Sequence, residues 1–486
     1  MLSSVKHFNN RLTHGLASRN DKWRVIIGWL IVCGVLALAF VLGRKSSIVI
    51  LAVQFALLGA LVLLRWPLLG FLILIPSALV VRLEIGTGTE VNLNPAALLV
   101  PALLGIWLLN AMMQHNLRLA PSRVNRPLIL FLLVSLISIP ISNVIWDPSV
   151  PRADRFIIVQ LAQWALWAFS AGIFWLMGNR ITNQVWLKRI VIIYLIVAEA
   201  IGLLRILPGN EYIAFNTISF AVERAPYWLL LTAVAGGQFL FNQRLSSRAR
   251  LGLAVILVTA IYYALAIQQE RSSNWVGVFT VLGVLVWLRY PRLRWLALIA
   301  LIVTMASGVL FSFLYDFAGG DAKWSESGAS RGVLIQRVIE LSMRNPITGI
   351  GPAAYRPYGL TRPLYYEGAY WVEPRINSHN NYVDLFSQVG VVGLGIFLWF
   401  MAELAWLGWR LRKVFKEDFA SGYVNGMLAA WVGIMIIMAL ADWFLPFVYN
   451  IGFPGFQASA LLWMFFGGLI ALEQLARAQA AQAEKS

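Results

Sequence analysis

Apolar residues run in long uninterrupted stretches, and polar residues collect at the joints between them. A helix that crosses a bilayer needs about 20 largely apolar residues, fewer where Trp or Arg at its ends reach the interface. By that rule fourteen spans are predicted. They are Val25 to Leu42, Ile48 to Leu64, Leu68 to Val81, Ala96 to Met113, Pro127 to Ile145, Phe156 to Met177 and Ile190 to Leu207, then Tyr227 to Phe241, Leu251 to Ile267, Trp275 to Leu288, Trp295 to Leu314, Val389 to Trp409, Val424 to Leu445 and Phe453 to Leu472. The third and tenth are short, so twelve to fourteen crossings is the range. The predicted fold is therefore an all-α polytopic membrane protein. Its parts are a tail at 1–24, spans one to eleven at 25–314, a large outer loop at 315–388, spans twelve to fourteen at 389–472 and a second tail at 473–486. Internal repeats and paired broken helices, the marks of many transporters, are not seen in it.

Composition agrees, since 59% of residues are hydrophobic and only 13% charged, too few charges for a soluble domain. A net charge of +17 by itself suggests nucleic-acid or anionic-lipid binding, and the positions of the charges decide. With a cytoplasmic N-terminus, the clusters Arg118/Arg123/Arg126, Arg180/Lys188/Arg189, Arg244/Arg248/Arg250, Arg289/Arg292/Arg294 and Arg410/Arg412/Lys413/Lys416 all face the cytoplasm. That is the positive-inside pattern, broken only by Arg44 and Lys45. The basic balance thus reports topology, and nucleic acid is not an expected partner. Ala37-Leu38-Ala39 resembles a signal-peptidase site, but cleavage there would turn every basic cluster outward, so the first helix is read as retained. A single cysteine, Cys33, leaves no internal disulfide.

The outer loop is where chemistry is expected, because long loops in compact proteins are functional or disordered and this one is rich in helix signals and aromatics. Ser330 is a candidate N-cap for a helix over Arg331 to Arg344, with Gln336, Arg337, Glu340 and Arg344 on one face and Leu334, Val338 and Leu341 on another. Pro346 and Gly349-Ile350-Gly351-Pro352 end it. Tyr355, Tyr358, Tyr365, Tyr366, Tyr370 and Trp371 follow, among Arg356 and Arg362. Such rings suit either sugar stacking or an interfacial belt. A second helix, capped by Asn377 or Ser378, carries His379, Tyr382, Val383 and Phe386 toward the membrane.

Of the four histidines, only His379 lies on the outer side, and a helix N-terminus would keep its ring neutral and available as a base. Arg271, in Gln268-Gln269-Glu270-Arg271-Ser272-Ser273, is either an ion-pair partner of Glu270 or a cation aimed at a phosphate, which Arg205 and Arg224, flanking another outer loop, could join. Glu199 and Glu403, inside spans, are costly and hence either functional or paired.

Glu270-Arg271-Ser272-Ser273, Arg331 to Pro352 with its R-N-P-I-T-G-I-G-P ending, and Ser378-His379-Asn380-Asn381-Tyr382 leading through Gly390 resemble, in that order, the O-antigen ligase and polymerase superfamily. The resemblance covers Glu270 to Phe400 and departs from the family at Glu270, where a small residue is usual, and at Asn377, where many members have a second histidine. It implies a membrane glycosyltransferase of the GT-C type at the periplasmic face of the bacterial inner membrane. Such an enzyme takes a glycan from undecaprenyl pyrophosphate and joins it to a hydroxyl of lipid A core, in a ligase, or of a second lipid-linked glycan, in a polymerase. It further implies His379 as general base, Arg271 and Arg337 on the pyrophosphate with Arg331 in reserve, the aromatic stretch on sugars, inversion at the anomeric centre, and neither metal nor cofactor. A polysaccharide or lipid transporter, which would depend on Glu199 or Glu403 and not on His379, and a non-enzymatic scaffold are the rival classes.

Overall fold

The computed structural model describes residues 58–86 except 60, 92–116, 118–209, 218–268, 271–308, 329–361, 365–366, 370–371, 377–450 and 452–484, with a few positions between 312 and 317. The chain divides into two compact units, 1–67 and 68–486. The first predicted span, most of the second, Cys33, His7, His14, Glu270 and Arg362 lie outside the described residues.

In the second unit the helices are α1 (Leu69–Leu79), α2 (Pro95–Met113), α3 (Asn125–Val144), α4 (Phe156–Arg180), α5 (Gln184–Ile206), α6 (Ala225–Phe241), α7 (Ser247–Tyr262), α8 (Ser272–Arg289), α9 (Arg294–Ala306), α10 (Ala329–Ser342), α11 (Tyr355–Leu360), α12 (Asn381–Val414), α13 (Phe419–Ile437) and α14 (Gly452–Ala483). A π-turn, Tyr263–Ile267, extends α7, and a 3₁₀ turn, Phe220–Glu223, precedes α6. Two short hairpins complete the description: Ile85–Gly86 with Asn92–Leu93, and Tyr365–Tyr366 with Tyr370–Trp371. Eight of the described helices are long and apolar enough to cross a membrane, α2, α3, α4, α7 with its π-turn, α8, α12, α13 and α14. The protein is all-α and multi-pass.

Several boundaries differ from the sequence reading, each for a physical reason. The thirteenth span does not reach Leu445: α13 stops at Ile437, and 438–450 is a turn whose Met438, Ala439, Leu440 and Leu445 carbonyls accept from Asn381, Asn380 and Arg331 instead of continuing the helix. The tenth run is not short, because Ser272–Asn274 join it and make α8 long enough for a crossing. Ser330 lies inside α10 rather than capping it. The helix after His379 is capped by Asn380, whose side chain accepts from the Tyr382 and Val383 amides, so His379 stands before the helix and not within it.

Glycines set how closely the spans approach. A side chain at Gly237 would run into the backbone of Gly422 and Gly426, which is how α6 and α13 come together. Gly467 presses on the Phe174 carbonyl and locks α14 to α4. α14 is buried along its whole apolar length and forms the central post of the unit.

The predicted twelfth span and the helix after His379 are one element, α12, merged across a kink at Gly390 (φ 66°, ψ −172°). The 345–352 segment is what makes the kink possible. Val391 N–H donates to Pro346 O (2.8 Å) and Val392 N–H to Ile347 O (3.3 Å), while Ile350 N–H donates to Ser387 O (2.8 Å). Ser138 Oγ of α3 donates to Thr348 O (2.9 Å) and Gln388 O (3.0 Å), closing the same joint from the other side. The amides of Val391 and Val392, released by the kink, therefore find carbonyls, as a low-dielectric setting demands.

A Cβ at Gly390 would collide with Ile347 O and with Gly349 N, whereas one at Gly395 would meet open space. Gly390→Ala is expected to destabilise the detergent-solubilised protein by about 3 kcal/mol or more, through clash and strained φ together. Gly395→Ala is the control. Equal thermal melting of the two variants would contradict this account of the joint.

Candidate functional site

The turn between α13 and α14, residues 438–450, is where the sequence-predicted residues converge. α12 delivers His379 to it. His379 itself takes a left-handed backbone (φ 55°), unusual for a non-glycine residue, and is half-buried. Asn381 fixes the strain: its N–H donates to Met438 O (2.8 Å), its Nδ2 to Asp442 Oδ1 (3.2 Å) and Leu445 O (2.8 Å), and its Oδ1 accepts from the Phe444 and Leu445 amides (3.2 Å each). Asn380 Nδ2 adds a bond to Ala439 O (3.1 Å).

His379 Nδ1 lies 4.0 Å from Asp442 Oδ2 and 3.5 Å from Asn450 Nδ2, and Asn450 donates in turn to Asp442. Asp442 is buried and hydrogen-bonded to Asp384, whose Oδ1 also accepts from Ser378 N–H (3.1 Å) and Ser378 Oγ (2.9 Å). A hydrogen bond between two carboxyls needs a proton on one of them. Burial, and then the Asp384 carboxylate beside it, push the Asp442 carboxyl well above the ordinary range, so Asp442 is the member that keeps it. The His379 imidazole goes the other way: burial first, then the nearby Arg331 guanidinium, lower it to about 4. The ring is neutral at physiological pH, for a different reason from the helix terminus assumed in the sequence reading.

Arg331 is held at the edge of this turn by a bond from Nη1 to Leu440 O (3.1 Å). Arg337 is not. It belongs to the buried stripe of α10 with Leu334, Val338 and Leu341, is 6% exposed, and donates Nη2 to Gly359 O (2.5 Å). The predicted division of α10 into an Arg337 face and an apolar face is thus corrected, since positions 334, 337, 338 and 341 share one helical stripe. Tyr355 and Tyr358 are corrected as well. Both are buried in a small core with Val338, Leu341 and Phe156, where Tyr358 packs on Trp146 (4.9 Å between centroids) and burial pushes the Tyr355 hydroxyl up to about 12. Their rings serve packing. Tyr365, Tyr366, Tyr370 and Trp371 form the small hairpin, with Tyr365 opposite Trp371 and Tyr366 opposite Tyr370.

Arg271 sits just before α8. Its partner among the described residues is Glu223 (Nη1 to Oε2, 3.6 Å), whose other oxygen accepts from Arg205 Nη2 (2.7 Å). Arg224 follows, its guanidinium 3.3 Å from the Phe220 ring centre and 5.0 Å from that of Trp443. Burial, then the repulsion of Arg271, lower Arg224 to about 10, which leaves it charged. Three guanidiniums around one carboxylate make a net positive patch. Trp443 joins the patch to the histidine: it follows Asp442 in sequence, lies under Arg224, and donates Nε1 to Ser273 Oγ of α8 (3.3 Å). A neutral imidazole, a carboxyl pair and a cluster of arginines thus meet across one tryptophan. That set can take a proton from a hydroxyl and neutralise a phosphate. Among the described residues, no three His, Cys, Asp or Glu side chains gather as a metal set.

Residues 253–398 match the family model described as O-antigen ligase. That stretch is similar to an O-antigen ligase domain. No curated protein matches the chain. The matched stretch contains Arg271, Arg331, Arg337 and His379, and the match supports a function of ligase or polymerase type in O-antigen biosynthesis. Asp442, Trp443, Arg224 and Asn450 lie outside the matched stretch, and sequence alone did not bring them together as a site. The one signal for Asp442 was an acidic residue within an apolar run, of the same kind as Glu199 and Glu403. Those two prove to be partnered: Glu199 accepts from Thr259 Oγ1 (2.7 Å), and Glu403 pairs with Arg123 (3.1 Å).

In the unfolded chain Asp442 would lose its proton near the usual value of about 4. Keeping it protonated in the fold therefore costs more as pH rises above that value, a cost that an uncharged amide at this position would not carry. Asp442→Asn, which can still donate to Asp384, is expected to gain melting temperature relative to wild type as pH is raised from 5 to 8. A difference that shrinks over that interval would contradict the protonated state.

Proposed function

We propose that the domain is a glycosyltransferase that moves a glycan from a polyprenyl pyrophosphate to an acceptor hydroxyl, with His379 as the general base. The observation that carries the reading is that neutral His379 lies against Asp442 in the same turn whose next residue, Trp443, packs on Arg224 of the arginine patch. The acceptor oxygen attacks the anomeric carbon, and the bond from that carbon to the pyrophosphate breaks. The hydroxyl proton passes to His379 Nε2, and the polyprenyl pyrophosphate leaves with the bonding electron pair. Attack opposite the leaving group inverts the anomeric centre. Pyrophosphate is already a good leaving group, so guanidinium charge suffices to stabilise it and no metal is called for.

Roles follow from position. Arg331, near His379, and Arg271, the more exposed of the Glu223 partners, are the pyrophosphate ligands, with Arg224 behind them. Arg337 holds the Gly359 carbonyl and supports Tyr355 beneath the site, a positioning role in place of the phosphate contact expected from sequence. For Nε2 to accept, Nδ1 must carry the hydrogen, and Asp442 Oδ2 is the acceptor on that side once the 4.0 Å gap closes with substrate bound. The site would face the periplasm of a bacterial inner membrane, as the distribution of basic loops supports.

Purified protein incubated with a defined undecaprenyl-pyrophosphate glycan, alone and with lipid A core, separates the two forms of the reaction. Transfer only in the presence of core is the ligase outcome, favoured by the family description; a ladder from donor alone is the polymerase outcome. His379→Ala is expected to reduce the rate by about 10²–10⁴-fold. Wild-type protein inactive under all conditions would reopen transport.

Arg331 also sets a pH signature. It lowers the His379 pKa, and His379 must be neutral to act, so Arg331→Gln raises that pKa and moves the acidic limb of kcat/KM to higher pH. Arg331→Lys should leave the limb low. A uniform loss of rate with an unmoved limb would restrict Arg331 to phosphate binding.

A further inference from the structure

Four helices that hold the His379 site at one end meet again at the other. α6 follows Arg224 and ends at Phe241; α8 follows Arg271 and ends at Leu288 and Arg289; α12 follows His379 and reaches Arg412 and Lys413; α13 starts beside Ser421 and leads to the Asp442 turn. At about 1.5 Å per residue, the 18 residues of α8 and the 19 of α13 separate the two ends by roughly 27 Å, close to the hydrocarbon thickness of a bilayer.

At this far end the helices line an open cavity of about 390 Å³. Arg289, Arg294, Arg412, Lys413 and Lys416 line it, against one carboxylate, Glu417. Two of the cations are fixed in place. Arg412 donates Nε to Asn425 Oδ1 (2.8 Å) and Nη2 to Leu288 O (2.6 Å), and Arg294 donates Nε to Trp287 O (2.8 Å), so the two guanidiniums stay near enough to repel each other. A concave wall that holds like charges together is a site for an anion. The remaining wall is apolar, from Phe241, Leu288, Trp409 and Phe415. A free phosphate has no use for those rings, whereas the glycerol and first methylenes of a lipid do.

We propose that this cavity binds the phosphate of an anionic phospholipid from the leaflet at the end of the bundle away from His379. The inference is independent of the reaction assigned to His379. Retention of positive charge on one side of the membrane explains why the loops are basic. It does not explain why these five side chains, from two loops more than a hundred residues apart, face one cavity, while Arg118, Arg126 and Lys188 of the same sign lie elsewhere.

The test uses the full chain purified in an uncharged detergent and titrated with phosphatidylglycerol, phosphatidylcholine or inorganic phosphate, read by thermal melting and by native mass spectrometry. Phosphatidylglycerol is expected to bind saturably and raise the melting temperature, and the other two to do neither. Arg289, Lys413 and Lys416 are exposed, so the triple variant Arg289→Gln/Lys413→Gln/Lys416→Gln should fold; it is expected to weaken binding by at least about tenfold, at roughly 1 kcal/mol per basic residue. Lys413→Gln alone should give a smaller shift in the same direction. The charge-matched control Arg118→Gln/Arg126→Gln/Lys188→Gln should weaken it less than roughly threefold. Equal losses in the two triples would overturn the site, and stabilisation by inorganic phosphate equal to that by the lipid would overturn the assignment to a lipid.

Discussion

Buried non-helical backbone must find its hydrogen bonds within the protein, and the 438–450 turn, buried over 441–448, meets that constraint with side chains from several helices. Asn381 and Asn380 bind its first half from α12, and Arg331 binds Leu440 from α10. Gln163 of α4 donates to Pro446 O (3.1 Å) and accepts from Val448 N–H (2.7 Å), and Trp463 of α14 donates to Phe444 O (3.0 Å). Once these groups are committed, Asp442 and Trp443 have fixed positions. His379 is then set against Asp442, and Arg224 against Trp443. The site is a consequence of how a break in the thirteenth apolar run is satisfied by hydrogen bonds.

The same requirement explains the Arg-Asn-Pro-Ile-Thr-Gly-Ile-Gly-Pro stretch. Its carbonyls serve the amides that Gly390 releases, and Gly349 and Gly390 approach each other more closely than any side chain permits. The stretch is thus structural support for the start of α12, one step removed from the chemistry. Its place beside Arg331 and Arg337 in sequence reflects α10, which leads directly into it.

Much of this was legible in the sequence. Apolar run length gave the helical, multi-pass architecture, because a spanning helix needs a stretch of low polarity whatever its neighbours are. His379 stood out as the one histidine of four on the outer side, whereas Arg271 and Arg331 were picked from 39 basic residues by the family resemblance. The failures come from residues whose environment contradicts their type. Arg337 is buried although arginine is seldom so, and Tyr355 and Tyr358 fill a core where exposed rings were expected. Asp442 was hidden in an apolar run assigned as continuous helix, and its partner Asp384 is 58 residues away in sequence. Their pairing is tertiary and leaves no periodicity to read.

The central claim is that the turn holding Asp442 brings His379 and the arginines into one site. The most direct measurement is a cryo-EM structure with undecaprenyl pyrophosphate bound. The account predicts pyrophosphate density within hydrogen-bond reach of Arg271 or Arg331, on the side of Trp443 where His379 stands. Pyrophosphate bound instead at the other end of α8 and α12, with none near His379, would contradict it.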